Sequence, residues 1–172
     1  MTVLLTAALA AQLAASACPG GQENAFSALQ GIWAGEVRPT GGEPAEISWQ
    51  GWPMAGGCMT GGFLDGPAGR EFVSWAYRPD LGAWVEFSAG GEAVLDYEFM
   101  RSQTGGEGAV FSPDPELLAQ SGLGEDAPGP ALRRSRWTRF DADTLVVEID
   151  TRASPDAQWQ PAAVMQMQRT AE

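Results

Sequence analysis

Residues 72–87 read FVSWAYRPDLGAWVEF, and this stretch contains the pattern that decides the fold. Across residues 73–77 large apolar side chains alternate with smaller or polar ones, which is the pattern of a strand with one apolar face. Residues 79–82 are typical of a tight turn, because proline fixes φ and glycine tolerates positive φ. Apolar alternation resumes over residues 83–87. The stretch therefore predicts a β-hairpin.

Turn signals of the same kind recur along the chain at spacings that suit hairpins. They are Gly41-Gly42, Asp65-Gly66, Gly90-Gly91, Gly105-Gly106, Asp141-Ala142-Asp143 and Ser154-Pro155-Asp156. Helix should be scarce. We expect one turn at residues 26–30 and another within residues 112–130, where Asp114-Pro115-Glu116 has the form of an N-cap followed by proline.

The more apolar register of each strand predicts which side chains face the interior. These are Trp33, Val37, Ile47, Trp49, Val73, Trp75, Tyr77, Val85, Phe87, Leu95, Tyr97, Phe99, Leu145, Val147, Ile149, Met165 and Met167. The opposite register is mostly polar and includes Glu86 and Glu98, as antiparallel sheets with one solvated face permit. Many such strands without covering helices bury their apolar faces best when the sheet closes on itself, which also removes its edges. The sequence predicts an all-β fold, an antiparallel meander closed into a barrel.

Residues 29–36, LQGIWAGE, resemble the opening of lipocalin-like barrels, where a short helical turn leads into a Gly-x-Trp first strand. Arg169 resembles the arginine that packs over that tryptophan. Residues 49–59, residues 72–79 and Trp84 extend the similarity to an uncharacterised group of exported bacterial lipocalin-like proteins. The resemblance implies a calycin-type barrel over roughly residues 26–169. It implies no characterised reaction.

Composition excludes several kinds of chemistry. The 172 residues include no histidine and no lysine, so Ser-His-Asp catalysis, histidine-ligated zinc and lysine Schiff bases are ruled out. The net charge of -12 disfavours nucleic acid as a partner. Asp141 and Asp143 suit a turn better than a calcium site. We therefore expect no enzyme activity, no cofactor and no metal.

The first 17 residues carry no charged side chain and have the length of a signal peptide. Residues 18–172 then form a single domain, exported to the bacterial envelope. Two fates are open for Cys18. It follows Ala15-Ser16-Ala17, which resembles a lipobox, so that it could carry a lipid anchor, or it could form a disulfide with Cys58.

Candidate ligand contacts follow from the predicted interior. A small apolar or anionic amphipathic ligand would lie among Trp49, Trp75, Tyr97, Arg139 and Met165. Inward arginines can bind a carboxylate through paired hydrogen bonds, and Arg139 shares the register of Trp137. Arg169 is expected to pack over Trp33 at the closed end of the barrel.

Two functions remain open at this point. The leading hypothesis is an envelope binding module, with residues 112–130 as a candidate lid over the cavity. The alternative is a structural or interaction protein of the envelope, whose barrel is filled by its own side chains and holds no ligand.

Overall fold

A computed structural model describes residues 18–90, 97–121 and 132–170. Within these ranges ten strands form one closed antiparallel barrel, in which sequence neighbours pair and the last strand pairs with the first. The strands are β1 (Gly31–Pro39), β2 (Ala45–Met54), β3 (Met59–Gly66), β4 (Gly69–Arg78), β5 (Ala83–Gly90), β6 (Tyr97–Ser102), β7 (Val110–Pro113), β8 (Leu132–Phe140), β9 (Thr144–Arg152) and β10 (Gln160–Arg169). The predicted all-β meander is confirmed.

Helical structure is limited to short pieces in the described ranges. The helix α1 (Pro115–Ser121) begins after Asp114, whose Oδ1 accepts hydrogen bonds from the backbone N–H groups of Glu116 and Leu117. This is the N-cap expected from the sequence. Single 3₁₀ turns occur at Pro19–Gly21, Ser27–Leu29 and Ala55–Gly57.

The barrel closes where β1 lies between β2 and β10. Trp33 is opposite Trp49 on one side and Arg169 on the other. Gly35 permits the close approach of β10, because a Cβ atom there would lie 2.7 Å from the Cα of Met167. Closure leaves β1 and β10 without a free edge for pairing with another chain.

Residues 18–30, which we call the floor, cross one end of the barrel before β1 begins. Phe26 is fully buried there, with its ring centroid 5.1 Å from that of Trp137 and 5.2 Å from that of Trp84. Asn24 Nδ2 donates to the carbonyl of Gly57 and to Thr60 Oγ1, each at 3.0 Å. The floor thus seals the end at which β2 meets β3.

Cys18 and Cys58 form a disulfide in the structure, which is one of the two arrangements that the sequence left open. The bond ties the start of the floor to the turn between β2 and β3. A sulfur in a disulfide is not available for lipid attachment. The predicted signal peptide, residues 1–17, lies outside the described residues.

The predicted facing of β5 and β6 is wrong. Phe87 and Phe99 were expected inside, but their rings lie 5.0 Å apart on the outer face, where Phe87 also contacts Phe72. The inner face of these strands carries Glu86, which is buried, and the fully buried Met100. Hydrophobicity misassigned the register because the outer face here is aromatic and the inner face is partly acidic. Leu95 lies outside the described residues.

Candidate functional site

The barrel interior contains a cavity of about 80 Å³ that is partly open to solvent. Most of its wall is apolar, and the side chains that matter below are Leu29, Trp49, Trp75, Trp137, Val147 and Met165. Four polar residues complete the wall, namely Glu71, Glu86, Arg133 and Ser135. Glu71 and Arg133 follow closely after the starts of β4 and β8, so they lie toward the end of the barrel away from the floor.

The size of this cavity limits what it can hold. Sites for drug-sized ligands usually have about 300 Å³ or more, whereas one water molecule needs about 10 to 15 Å³. A cavity of about 80 Å³ therefore suits several waters or one compact molecule.

Three carboxylates surround a single guanidinium on the polar side of the wall. We call Glu71, Glu86, Glu98 and Arg133 the Arg133 cluster. Arg133 donates from Nε to Glu98 Oε2 at 2.9 Å, and its NH2 lies 2.8 Å from the same oxygen. Its NH2 is 3.6 Å from Glu86 Oε1, which is beyond normal hydrogen-bond distance. Glu86 Oε2 instead accepts a 2.8 Å hydrogen bond from Trp75 Nε1.

Burial dominates the titration of this cluster. It raises the pKa of Glu86 to about 7, although the positive charge of Arg133 and the Trp75 hydrogen bond pull it down. Burial also raises the pKa of Glu98, again against the opposing effect of Arg133. For Arg133 burial favours the neutral form, but Glu98, Glu86 and Glu71 outweigh it and raise its pKa. Arg133 is therefore a permanent cation beside Glu86 and Glu98, whose burial makes ionisation costly.

Two polar groups of the cavity wall lack partners. Ser135 is 5% exposed and Trp137 is 3% exposed, and neither Ser135 Oγ nor Trp137 Nε1 has a hydrogen-bond partner among the described residues. Both residues line the cavity from the inner face of β8. Buried polar groups are normally paired, so an unpaired hydroxyl in a cavity indicates room for a bonded molecule.

The predicted ligand contacts are only partly brought together. Trp49, Trp75 and Met165 all line the cavity. Trp49 Nε1 is already engaged, since it donates to the carbonyl of Leu29 in the floor at 2.7 Å. Tyr97 begins β6, but its side chain lies outside the described part of the chain.

The prediction that Arg139 faces the cavity is wrong. A β-bulge separates Trp137, which pairs with Val147, from Arg139, which pairs with Val146. The extra residue shifts Arg139 to the outer face, because alternation restarts after a bulge. Its side chain is 61% exposed, and Nε contacts Asp141 Oδ2 at 2.9 Å.

Arg169 contacts other groups of the protein at the end of the barrel and is not available to a ligand. Its Cζ lies 4.7 Å from the ring centroid of Trp33, within the distance expected for a cation–π contact. The guanidinium also donates to the backbone carbonyls of Ala28, Gln30 and Ala142. Two of these carbonyls belong to the floor, so Arg169 joins β10 to it.

Sequence reasoning missed Glu86, Arg133 and Ser135 as interior residues. One signal was present for two of them, because Arg133 and Ser135 share the register of Trp137 on β8. Within the described ranges, no group of three or more Asp, Glu or Cys side chains is arranged to hold a metal ion. No described helix has both the length and the apolar character needed to span a bilayer.

Comparison with known proteins supports the architecture. No protein-family model matches the chain, and no curated protein matches it significantly. The crystal structure of Rv2717c from M. tuberculosis is similar, with a TM-score of 0.56 and 17% sequence identity. The similarity covers 86% of this chain and 96% of that one. At this level of identity the two proteins are shown to share a barrel fold.

Proposed function

We propose that this barrel is a small-molecule-binding module of the cell envelope, which holds a compact amphipathic ligand in its cavity. The observation that carries the proposal is the Ser135 hydroxyl, which is buried in the cavity wall and has no partner in the part of the chain that the structure describes. Leaving a buried polar group unpaired costs about 1 to 3 kcal/mol, which a bound ligand would offset by bonding to it.

The rest of the wall suits the apolar part of such a ligand. Trp49, Trp75 and Trp137 contribute large aromatic side chains, and Val147 and Met165 contribute aliphatic ones. A cavity of about 80 Å³ favours a molecule of a few heavy atoms, since an apolar cavity of about 150 Å³ accommodates benzene.

We favour binding over catalysis. A pKa of about 7 would suit Glu86 to act as a general acid or base. Its described partners, however, are groups of the protein itself, namely the Trp75 N–H and Arg133. A hydroxyl nucleophile needs a base within hydrogen-bond reach, and Ser135 Oγ has none among the described residues.

The envelope location rests on two features. Residues 1–17 have the composition of a signal peptide, and the Cys18–Cys58 disulfide suits an oxidising compartment. A fusion of residues 1–25 to a reporter that is active only after export tests this location. An inactive reporter would contradict it.

A second function is favoured by the small volume of the cavity. Narrow barrels can be filled by their own side chains, and a structural or interaction protein of the envelope would need no ligand. The cavity of about 80 Å³ is compatible with such a barrel that retains a few internal waters.

Tryptophan emission distinguishes these two functions. We would titrate the protein with n-butylamine, 1-butanol and butanoate, and follow emission and the unfolding temperature. A binding module should respond saturably to at least one probe, and Val147→Phe should abolish the response by filling the cavity. Val164→Phe is the matched control, because Val164 is exposed on β10. No saturable response to any probe would favour the filled barrel.

A further inference from the structure

We propose that the polar group of the ligand is a cation, and that the Arg133 cluster selects compact molecules that carry an ammonium group. This inference rests on the proposed binding function and adds a charge preference to it. It replaces the anionic ligand expected from the sequence, since neither Arg139 nor Arg169 is available in the cavity.

Unbalanced charge is the first argument. Glu71, Glu86 and Arg133 line the cavity, and Glu98 contacts Arg133 from β6. When all are ionised, three negative charges face one positive charge. Other arginines nearby are engaged elsewhere, since Arg101 pairs with Asp114 and Arg134 pairs with Asp150. The cavity therefore lacks one or two positive charges.

Unused hydrogen-bond acceptors are the second argument. Glu86 Oε2 accepts from Trp75, whereas Oε1 lies 3.6 Å from the nearest guanidinium nitrogen and receives no hydrogen bond from it. Ser135 Oγ, in the same wall, has no hydrogen-bond partner within residues 18–90, 97–121 and 132–170. An ammonium group has three donors and no acceptor, so it can satisfy a carboxylate oxygen and a hydroxyl oxygen together.

The tryptophans of the cavity wall also favour a cationic ligand. Indole faces attract cations, and Trp49, Trp75 and Trp137 line the cavity beside the carboxylates. A carboxylate ligand would instead add a negative charge to a site that already has an excess. A neutral alcohol could bond to Ser135 but would leave the carboxylates uncompensated.

Proton release gives an independent signature of this selection. Glu86 is partly protonated near pH 7, and its neighbours are Glu71 and Trp75 from β4, Glu98 from β6 and Arg133 from β8. A cation bound beside Glu86 favours its ionised form, so binding should expel a fraction of a proton. Binding of a neutral alcohol should expel none.

The test compares three probes of one chain length on the full chain with its disulfide intact. At pH 8 we expect n-butylamine to bind about tenfold more tightly than 1-butanol, which is the effect of one charge-assisted hydrogen bond. Butanoate should bind most weakly. Calorimetry at pH 7 in buffers of different ionisation enthalpy should show proton release with the amine alone.

Glu86→Gln is the decisive variant, because glutamine keeps an oxygen for the Trp75 N–H and removes the charge. Amine affinity should fall about tenfold, alcohol affinity should remain, and proton release should disappear. Glu98→Gln should also lower the affinity for n-butylamine. Glu36→Gln is the matched control, since Glu36 pairs with Arg38 on the outer face of β1 and should change nothing.

The outcomes separate this inference from the proposed function. If 1-butanol or butanoate binds as tightly as n-butylamine, or if Glu86→Gln leaves amine affinity intact, the charge preference is wrong and the binding function stands. If no probe binds, the proposed function fails as well. A cooperative unfolding transition above the temperature of the binding experiment, for both the Glu86 and the Glu36 variant, would show that the comparison concerns folded proteins.

Discussion

At the scale of single residues, Glu86 connects the stability of the barrel to its polar cavity. It is a carboxylate on the inner face of a strand, with one oxygen bonded to Trp75 and the other 3.6 Å from the Arg133 guanidinium. Its burial makes the charged form costly and keeps its titration near neutrality. The cluster that would attract a ligand is therefore also a source of instability without one.

A pH profile of stability should reveal this cost. The pKa of Glu86 is about 7 in the folded protein, against 4.5 for an unperturbed glutamate, so the folded state binds more protons between these limits. The free energy of unfolding should therefore fall as pH rises from about 4.5 to 7, with Glu86 contributing about 3 kcal/mol. Urea denaturation of wild type and Glu86→Gln at pH 5 to 8 measures the difference. Parallel profiles for the two proteins would contradict it, and Glu36→Gln is the control.

Removal of Arg169 should be costly. It stacks on Trp33 and donates to three backbone carbonyls, so Arg169→Ala should lower the free energy of unfolding by about 2 to 4 kcal/mol. Arg38→Ala, which breaks an exposed ion pair, should cost less than about 1 kcal/mol. Equilibrium denaturation of Arg169→Ala, Trp33→Phe and the double variant should show losses that are less than additive. Strict additivity would show that the two side chains do not interact.

At the scale of elements, the sequence predicts the strands better than it predicts their faces. Period-two alternation correctly predicted residues that face inward in β4 and β9, where Val73, Trp75 and Val147 are buried as expected. It failed for β5, where Glu86 faces inward and Phe87 packs outside on Phe99. Hydrophobicity cannot find an interior carboxylate, because the rule assumes that charge faces water. Misassigned registers are therefore informative, since functional sites are where such rules break.

The bulge in β8 could not be predicted for a different reason. An extra residue hardly changes the apolar and polar composition of a strand, but it reverses the face to which each later side chain points. Thr138 is exposed and lies between the paired residues Trp137 and Arg139. The sequence therefore placed Arg139 in the cavity, whereas Arg133, which precedes the bulge and shares the register of Trp137, is the arginine of β8 that lines it.

Deletions should distinguish the bulge from regular strand. Removal of Thr138 lets Arg139 pair next to Trp137 without changing the face of either, so the barrel should remain folded. No bulge in β9 can absorb the removal of Val146. This deletion would turn Leu145 or Val147 out of the core, which should lower the free energy of unfolding by about 2 kcal/mol for each exposed side chain. Circular dichroism and urea denaturation measure both variants. Equal losses from the two deletions would contradict the assignment.

At the scale of the whole molecule, the floor makes one end of the barrel different from the other. It contributes Phe26 to the centre of the aromatic core, and it is fixed by a disulfide, by Asn24 and by Arg169. These attachments involve two separate parts of the chain, residues 57–60 and Arg169. The floor is therefore part of the folded domain and not an appended tail.

Loss of the disulfide should weaken this whole arrangement. Cys18 and Cys58 are 40 residues apart in sequence, and a cross-link that closes a loop of this length stabilises by about 4 kcal/mol in the chain-entropy account. The double variant Cys18→Ser, Cys58→Ser should lose most of that free energy of unfolding. Wild type under reducing conditions should show the same loss. Unchanged stability in both experiments would mean that the other attachments hold the floor without the cross-link.

Both ends of the described chain meet at the floor. Cys18 begins it, and Arg169 donates to its carbonyls at Ala28 and Gln30. The polar side of the cavity lies toward the opposite end, beyond the starts of β4 and β8. Both ends of the described chain therefore lie at the end of the barrel opposite to the polar side of the cavity. A tether attached to either terminus would hold the molecule by its floor, with the polar side of the cavity directed away from the surface.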